Sequence, residues 1–292
     1  LFALAGVLLQ EKNAKSEKGR LWLVLPAFIW LALFVVIPLA ILFVYSLGGR
    51  DELGRVVLKV SLSNYVRFVS GPYLATLARS LMLSTITTLS ALVIGYLFAL
   101  WLAIVAPKNK RNLLLLLIVL PLWTSSLLRI YAWITLLRPT GILNHLAAGL
   151  GIGLPTILYT PLAVWIGMVY NYLPYMILPL YTSLEKFDMS LVEASMDLGA
   201  GPWRTLTRVL IPLTGGGIVA GSVMVFIPSL GDYVTPDLLG GAKTMFIGNL
   251  IQNQFLTVRD WAFGSAVSTI LILIVSVAIW IYLKYADSEA FA

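Results

Sequence analysis

The sequence predicts an all-α, polytopic membrane protein with six transmembrane helices, and three observations carry that expectation. First, hydrophobic residues make up 60% of the 292 and charged residues only 11%, with a mean hydropathy of +0.93. A water-soluble domain carries roughly a quarter of its residues charged, so a soluble fold is excluded. Second, residues 21–49, 80–107, 209–231 and 261–283 contain no Asp, Glu, Lys or Arg. A helix needs about 20 apolar residues to cross a ~30 Å hydrocarbon core. Third, these runs are continuous and do not alternate in ~10-residue units, which selects helices over a barrel.

Taken in order, the spans are expected near 21–47, 75–105, 113–137, 160–183, 210–233 and 262–284. The third carries one charge, Arg129. The stretch 139–184 has none, and its glycines and prolines divide it into a loop and one span. An N-terminal segment, 1–20, and a C-terminal tail, 285–292, flank the six-helix domain 21–284. Leu1 to Gln10 is apolar but too short to span, and no basic stretch precedes it, so it does not read as a signal peptide. The tight turn Pro107–Asn112 holds Lys108, Lys110 and Arg111. Short basic connections stay inside, which places this turn, both termini and the 184–210 loop on the cytoplasmic side. The net charge of +7 is spread over such loops, so it reports topology and implies no nucleic-acid partner.

Several chemistries lack their parts. Cysteine is absent and His145 is the sole histidine, which removes thiolate metal sites and histidine-based triads. Gly240-Gly241-Ala242-Lys243-Thr244 superficially resembles a phosphate loop but lacks the required glycine spacing. No cofactor or metal is expected, and the chain should not hydrolyse ATP by itself.

The 184–210 loop is the most informative stretch. Leu191, Ala194, Ser195 and Leu198 recur at helical spacing, with Glu193 and Asp197 on another face. Asp188 or Ser190 is placed to cap the start, and Gly199 suits a C-terminal cap because it enters the left-handed region without steric penalty. Ala200-Gly201-Pro202 turns the chain and Trp203 to Leu210 resumes as helix. On pattern alone this is equally an ordinary amphipathic loop at the membrane surface.

Spacing separates the two readings. Glu193-Ala194-Ser195, then Gly199, then Val209-Leu210-Ile211-Pro212 resembles the E-A-A-x3-G-x9-I-x-L-P signature of ABC-importer permeases, with Ser195, Val209 and Ile211 as conservative departures. Leu120 to Trp133, Pro212 to Ser222, Asp237 to Gly241, Ile247-Gly248-Asn249 and Arg259-Asp260-Trp261 resemble the spermidine/putrescine permeases, and the putrescine-type branch fits slightly better. The resemblance covers about 22–283 and implies the type I ABC importer permease (MetI-like) fold in a bacterial inner membrane. It implies that Glu193, Ala194, Ser195, Asp197, Gly199 and Pro212 serve coupling to an ATPase. It also implies a second similar permease subunit, two ATPase subunits and a periplasmic polyamine-binding protein as partners. The first 20 residues add nothing to the match.

A route for cargo is sought among polar groups in the spans, which are costly in hydrocarbon and usually face protein or water. Asp232 closes an uncharged run within Pro228-Ser229-Leu230-Gly231-Asp232-Tyr233-Val234-Thr235-Pro236-Asp237, where prolines and glycine imply a broken helix. Asp232 and Asp237 would attract the ammonium groups of a diamine, and Tyr233 offers a cation–π face. The alternative is that both acids are solvated interfacial positions. Asn171 and Tyr172, in the fourth span, are further candidates, although a packing hydrogen bond accounts for Asn171 equally simply. Arg129 is expected to snorkel outward. The hydroxyls of the second span, Ser80 to Ser90, are expected to bond locally or between helices. The outer stretches 48–72, 138–159 and 235–260 are long enough to receive a soluble partner, and Arg50, Asp51, Glu52, Arg55 and Lys59 give the first a mixed-sign surface.

The expected function is thus the transmembrane permease subunit of an ATP-driven polyamine importer. Two alternatives stand beside it. One is an ABC permease for another small solute. The other is an ion-coupled secondary transporter, which would favour mid-membrane coupling residues and internal repeats; no clear repeat is seen, and six spans are few.

Overall fold

The structure, a computed structural model, describes residues 25–50, 56–57, 60–151 and 155–289. The segment 1–20 and Asp51, Glu52, Arg55 and Lys59 lie outside the described residues. Among the described residues, four helices are long and apolar enough to cross a membrane: α1 (Leu25–Ser46), α3 (Tyr73–Val105), α7 (Pro161–Glu185) and α13, whose apolar part is Trp261–Trp280. Two further apolar stretches are bent helix pairs. One joins Lys108–Trp123 (α4) to Ser126–Gly149 (α5, Ser126–Leu137, and α6, Ile142–Gly149) at 95°. The other joins α9 (Pro202–Leu213) to α10 (Gly215–Gly231) at 71°. Counting each bent pair once gives six spans.

The bends correct two sequence expectations. The third span is not a continuous helix over 113–137. Pro121 tightens the chain into a 3-10 turn, and Thr124 and Ser125 are extended (ψ 151° and 137°), so α5 leaves at a steep angle. The fifth span, expected over 210–233, breaks at Thr214. α13 continues to Glu289, into the stretch set apart as a C-terminal tail.

At the centre α3, α7 and α10 pack on one another, and α1 lies at the periphery against α13. Close approach of α10 to α7 depends on Gly217, where an added Cβ would sit 2.6 Å from Ser183 Cβ and 2.8 Å from the Pro179 carbonyl oxygen. Pro174 and Pro179 lie inside α7.

The connections at one end of the bundle are themselves structured. α2 (Ser63–Ser70) precedes α3, a two-residue β-pairing joins Gly49–Arg50 to Val56–Val57, and α11 (Val234–Gly240) and α12 (Ile247–Leu256) precede α13. Stretches expected as loops are therefore largely helical, because they bury Phe68, Leu239, Ile247 and Leu250 among the spans. This far end is opposite the end carrying α8 (Ser190–Asp197), referred to below as the loop end.

Candidate coupling surface and translocation cavity

α8 is a two-turn helix held between fixed turns. The N-cap residue is Met189; Asp188, one residue before it, accepts the Ser190 N–H at 3.0 Å through Oδ1 and so satisfies the first backbone donor of the helix, and Ser190 does not cap it. That bond holds the Asp188 carboxyl below its ordinary range. At the other end Gly199 sits at φ +80°, and the Gly199 and Ala200 N–H groups donate to the Met196 and Ser195 carbonyls at 2.9 and 3.1 Å. A side chain there would be strained whatever the space around it. One apolar anchor, Val192, is buried at 8% exposure and joins the core with Leu102, Leu184 and Leu210. Ser195 Oγ lies 3.0 Å from Thr205 Oγ1, tying α8 to α9. This bond explains why a hydroxyl suits the position where the signature has alanine.

The outward face of the loop is left open. Glu193, Ala194, Asp197 and Gly199 are exposed. Leu198 is 90% and Trp203 75% exposed, with Leu191 and Met196 also standing free. Glu193 lies in the first turn of α8, where the helix dipole favours an acid. Pro212 is exposed two residues before the bend at Thr214. Thr214 is fully buried, its hydroxyl 3.0 Å from Tyr96 Oη and 2.7 Å from the Leu210 carbonyl. Sequence reasoning missed Thr205, Thr214 and Tyr96. A buried hydroxyl at a predicted helix junction was the available signal.

A second site lies where α5, α7 and the α10–α11 junction meet. A cavity of about 200 Å³ is lined by Ser126, Arg129, Asn171, Tyr172, Tyr175, Asp232 and Thr235, among others. Asp232 ends α10 and starts α11. Its Oδ1 accepts the N–H groups of Val234 and Thr235 at 3.0 and 3.1 Å, and its Oδ2 accepts the hydroxyls of Thr235 at 2.6 Å and Tyr172 at 3.2 Å. The Tyr172 hydroxyl also lies 3.3 Å from the Pro228 carbonyl, near the end of α10. Asn171 Nδ2 donates to Thr235 Oγ1 at 3.4 Å, while its Oδ1 is buried without a partner. Arg129 does not snorkel outward. Its Nε and Nη1 are buried and unpartnered, because the bend after Trp123 turns α5 toward the cavity.

Of the five pathway residues suggested by sequence, the cavity thus gathers Asn171, Tyr172 and Asp232. Tyr233 and Asp237 are exposed and absent from its lining. In the second span, Ser80 Oγ accepts the Ile247 N–H at 2.7 Å and Ser90 Oγ accepts Trp165 Nε1 at 3.1 Å, bonding between helices as expected, whereas Ser84 Oγ and Thr87 Oγ1 are buried with no partner among the described residues.

Four long apolar helices and two bent pairs, with a short helix exposed on one connection, are the architecture of a membrane protein, and known proteins narrow that class. Residues 91–287 match the model for the binding-protein-dependent transport system inner membrane component. The spermidine/putrescine transport system permease protein PotB of Salmonella typhimurium (strain SL1344) is 45% identical over 255 residues, covering 87% of this chain and 88% of that protein. PotB of Escherichia coli (strain K12) is 44% identical, covering 87% and 92%. In fold, the chain is similar to a chain of a bacterial alginate ABC transporter crystallised with an alginate pentasaccharide-bound periplasmic protein. The TM-score is 0.75 at 17% identity, covering 93% and 94%. The chain belongs to the binding-protein-dependent transport system inner membrane component family. It is therefore a transport component with an ABC permease fold and not an enzyme.

Proposed function

We propose that this chain is the transmembrane permease subunit of an ATP-driven polyamine importer, with putrescine and spermidine as the cargo class. One observation carries the mechanical part. The signature residues Glu193, Ala194, Asp197 and Gly199 lie exposed on a helix anchored by Val192, beside the uncovered side chains of Leu198 and Trp203. Aromatic side chains at the centre of such a surface supply most of the binding energy at protein interfaces. The loop end faces the cytoplasm and docks on one of two ATPase subunits. A second permease subunit completes the pathway, and a periplasmic polyamine-binding protein delivers cargo at the far end. Cargo choice is supported by the 45% identity to a spermidine/putrescine permease over most of the chain.

ATP-driven closure of the ATPases pushes α8. Val192 and the Ser195–Thr205 bond pass that movement to α9, and the buried Thr214–Tyr96 bond passes it to α10 and α3. The far tip of α10 carries Asp232, so the displacement reaches the cavity. Asn171, Tyr172 and Asp232 line the route there, with Tyr233 and Asp237 at its approach. The boundaries 1–20, 21–284 and 285–292 remain our assignment of terminal segments and permease domain.

The test is uptake of labelled putrescine into proteoliposomes holding the complete importer, its binding protein and ATP. Glu193→Ala and Gly199→Asp should lower uptake and loosen the ATPase. Unchanged uptake and association in both variants would rule out the docking role. The chain has no cysteine, so single introduced cysteines at positions 110 and 198 report sidedness directly. Labelling of both from the outer face would reverse the proposed topology.

A further inference from the structure

Asp232 is the acid in the cavity, and its carboxylate is already committed. Two backbone N–H groups and two hydroxyls, from Val234, Thr235 and Tyr172, occupy its oxygens. Its first duty is to start α11. Arg129 is in the opposite condition: Nε and Nη1 are buried in the wall of the same cavity with no hydrogen-bond partner among the described residues. An unpaired guanidinium in a partly dehydrated cavity is costly, and such groups call for a functional account. Arginine remains charged at any working pH, so its field is permanent. A hydrogen-bonded carboxylate keeps its charge, so Asp232 still attracts a dication, and the Arg129 guanidinium in the same cavity opposes that attraction. The tyrosine rings of Tyr172 and Tyr175 still offer weak cation–π contact along its wall.

We propose that Arg129 is a specificity-determining residue of the translocation cavity, whose unpaired positive charge keeps a polyammonium cargo in transit and prevents its retention beside Asp232. This rests on the polyamine reading above. A cavity that held the cargo tightly would slow its release toward the loop end. A fixed like charge lowers the affinity of the intermediate without closing the route.

The experiment uses the complete importer with wild-type chain, Arg129→Gln, Arg129→Lys and the double variant Arg129→Gln/Asp232→Asn. Equilibrium binding of labelled spermidine is measured on the assembly without its binding protein, and uptake is measured with it. Removing one unit charge near the bound cation should tighten spermidine binding by about tenfold or more in Arg129→Gln, and slow its uptake. Arg129→Lys keeps the charge and should match wild type, which separates charge from packing damage. The double variant should return to weak binding. Arg129→Gln binding no more tightly than wild type, or Arg129→Lys behaving like Arg129→Gln, overturns the role of Arg129 alone if wild type imports polyamine. A wild-type importer that moves no polyamine at all overturns the cargo reading, and this inference with it.

Discussion

At the far end, Arg67 Nη1 meets Asp260 Oδ2 at 2.8 Å, and its guanidinium carbon lies 4.0 Å from the Phe263 ring centroid. Asp260 is only 4% exposed, and its Oδ1 also accepts the Phe263 N–H at 3.2 Å. Burial alone would lower the Arg67 guanidinium, but Asp260 and Tyr73 together outweigh it and leave the group above its ordinary value. Asn64 nearby donates to the Ser46 and Gly48 carbonyls at 3.0 and 2.7 Å. At the loop end the corresponding groups reach outward: Glu193 and Asp197 are exposed, and Trp203 stands free. At the far end the Arg67, Asp260 and Asn64 side chains find partners within the chain, whereas the loop end offers groups that another molecule must satisfy. The first arrangement makes a frame, the second a handle.

Substitutions at the two ends should therefore separate stability from coupling. Asp260→Ala removes both an ion pair and a helix cap. Because Arg67 is half exposed and can rehydrate, the loss should be about 2–3 kcal/mol, read as a lower melting temperature in detergent, with ATPase association intact. Trp203→Ala should do the reverse, weakening ATPase association by about 2 kcal/mol, close to thirtyfold, with little change in melting temperature. Equal effects of both substitutions on both measurements would erase the distinction between frame and handle. Ser195→Ala should be milder, about 1 kcal/mol, since it frees the buried Thr205 hydroxyl. Its signature in uptake should exceed its signature in stability.

The smallest effect concerns Asp188. Its folded-state value is depressed by the Ser190 N–H, so its contribution is present above the unfolded value and lost as pH falls through the folded one. Amide exchange at Ser190 should quicken as acid protonates Asp188, relative to an Asp188→Asn variant that shows no such step. A wild-type profile parallel to that of the variant would remove Asp188 from the helix start.

How legible each part was in the sequence depended on whether its cause was local. The spans were readable because charge-free runs of helical length have few other homes. α8 was readable because Gly199 and Pro202 fix its end within a few residues. The 95° bend after Trp123 was not, since the charge-free run continues through Thr124 and Ser125. That miss carried over to Arg129, whose direction depends on where α5 points. The pairing of Tyr172 with Asp232 spans 60 residues and that of Arg67 with Asp260 spans 193, and no periodicity reports such contacts. For the Asp260 contacts, an acid immediately before the apolar run that opens at Trp261 was the local hint.

The central claim is that the exposed loop is gripped by the subunit that consumes ATP. Its most direct test is site-specific crosslinking from a single cysteine placed at Leu198 in the assembled importer. The account predicts an adduct with the ATPase subunit, formed in the intact assembly and changing in yield with bound nucleotide. Adducts to lipid alone, in an assembly that still imports its cargo, would contradict it.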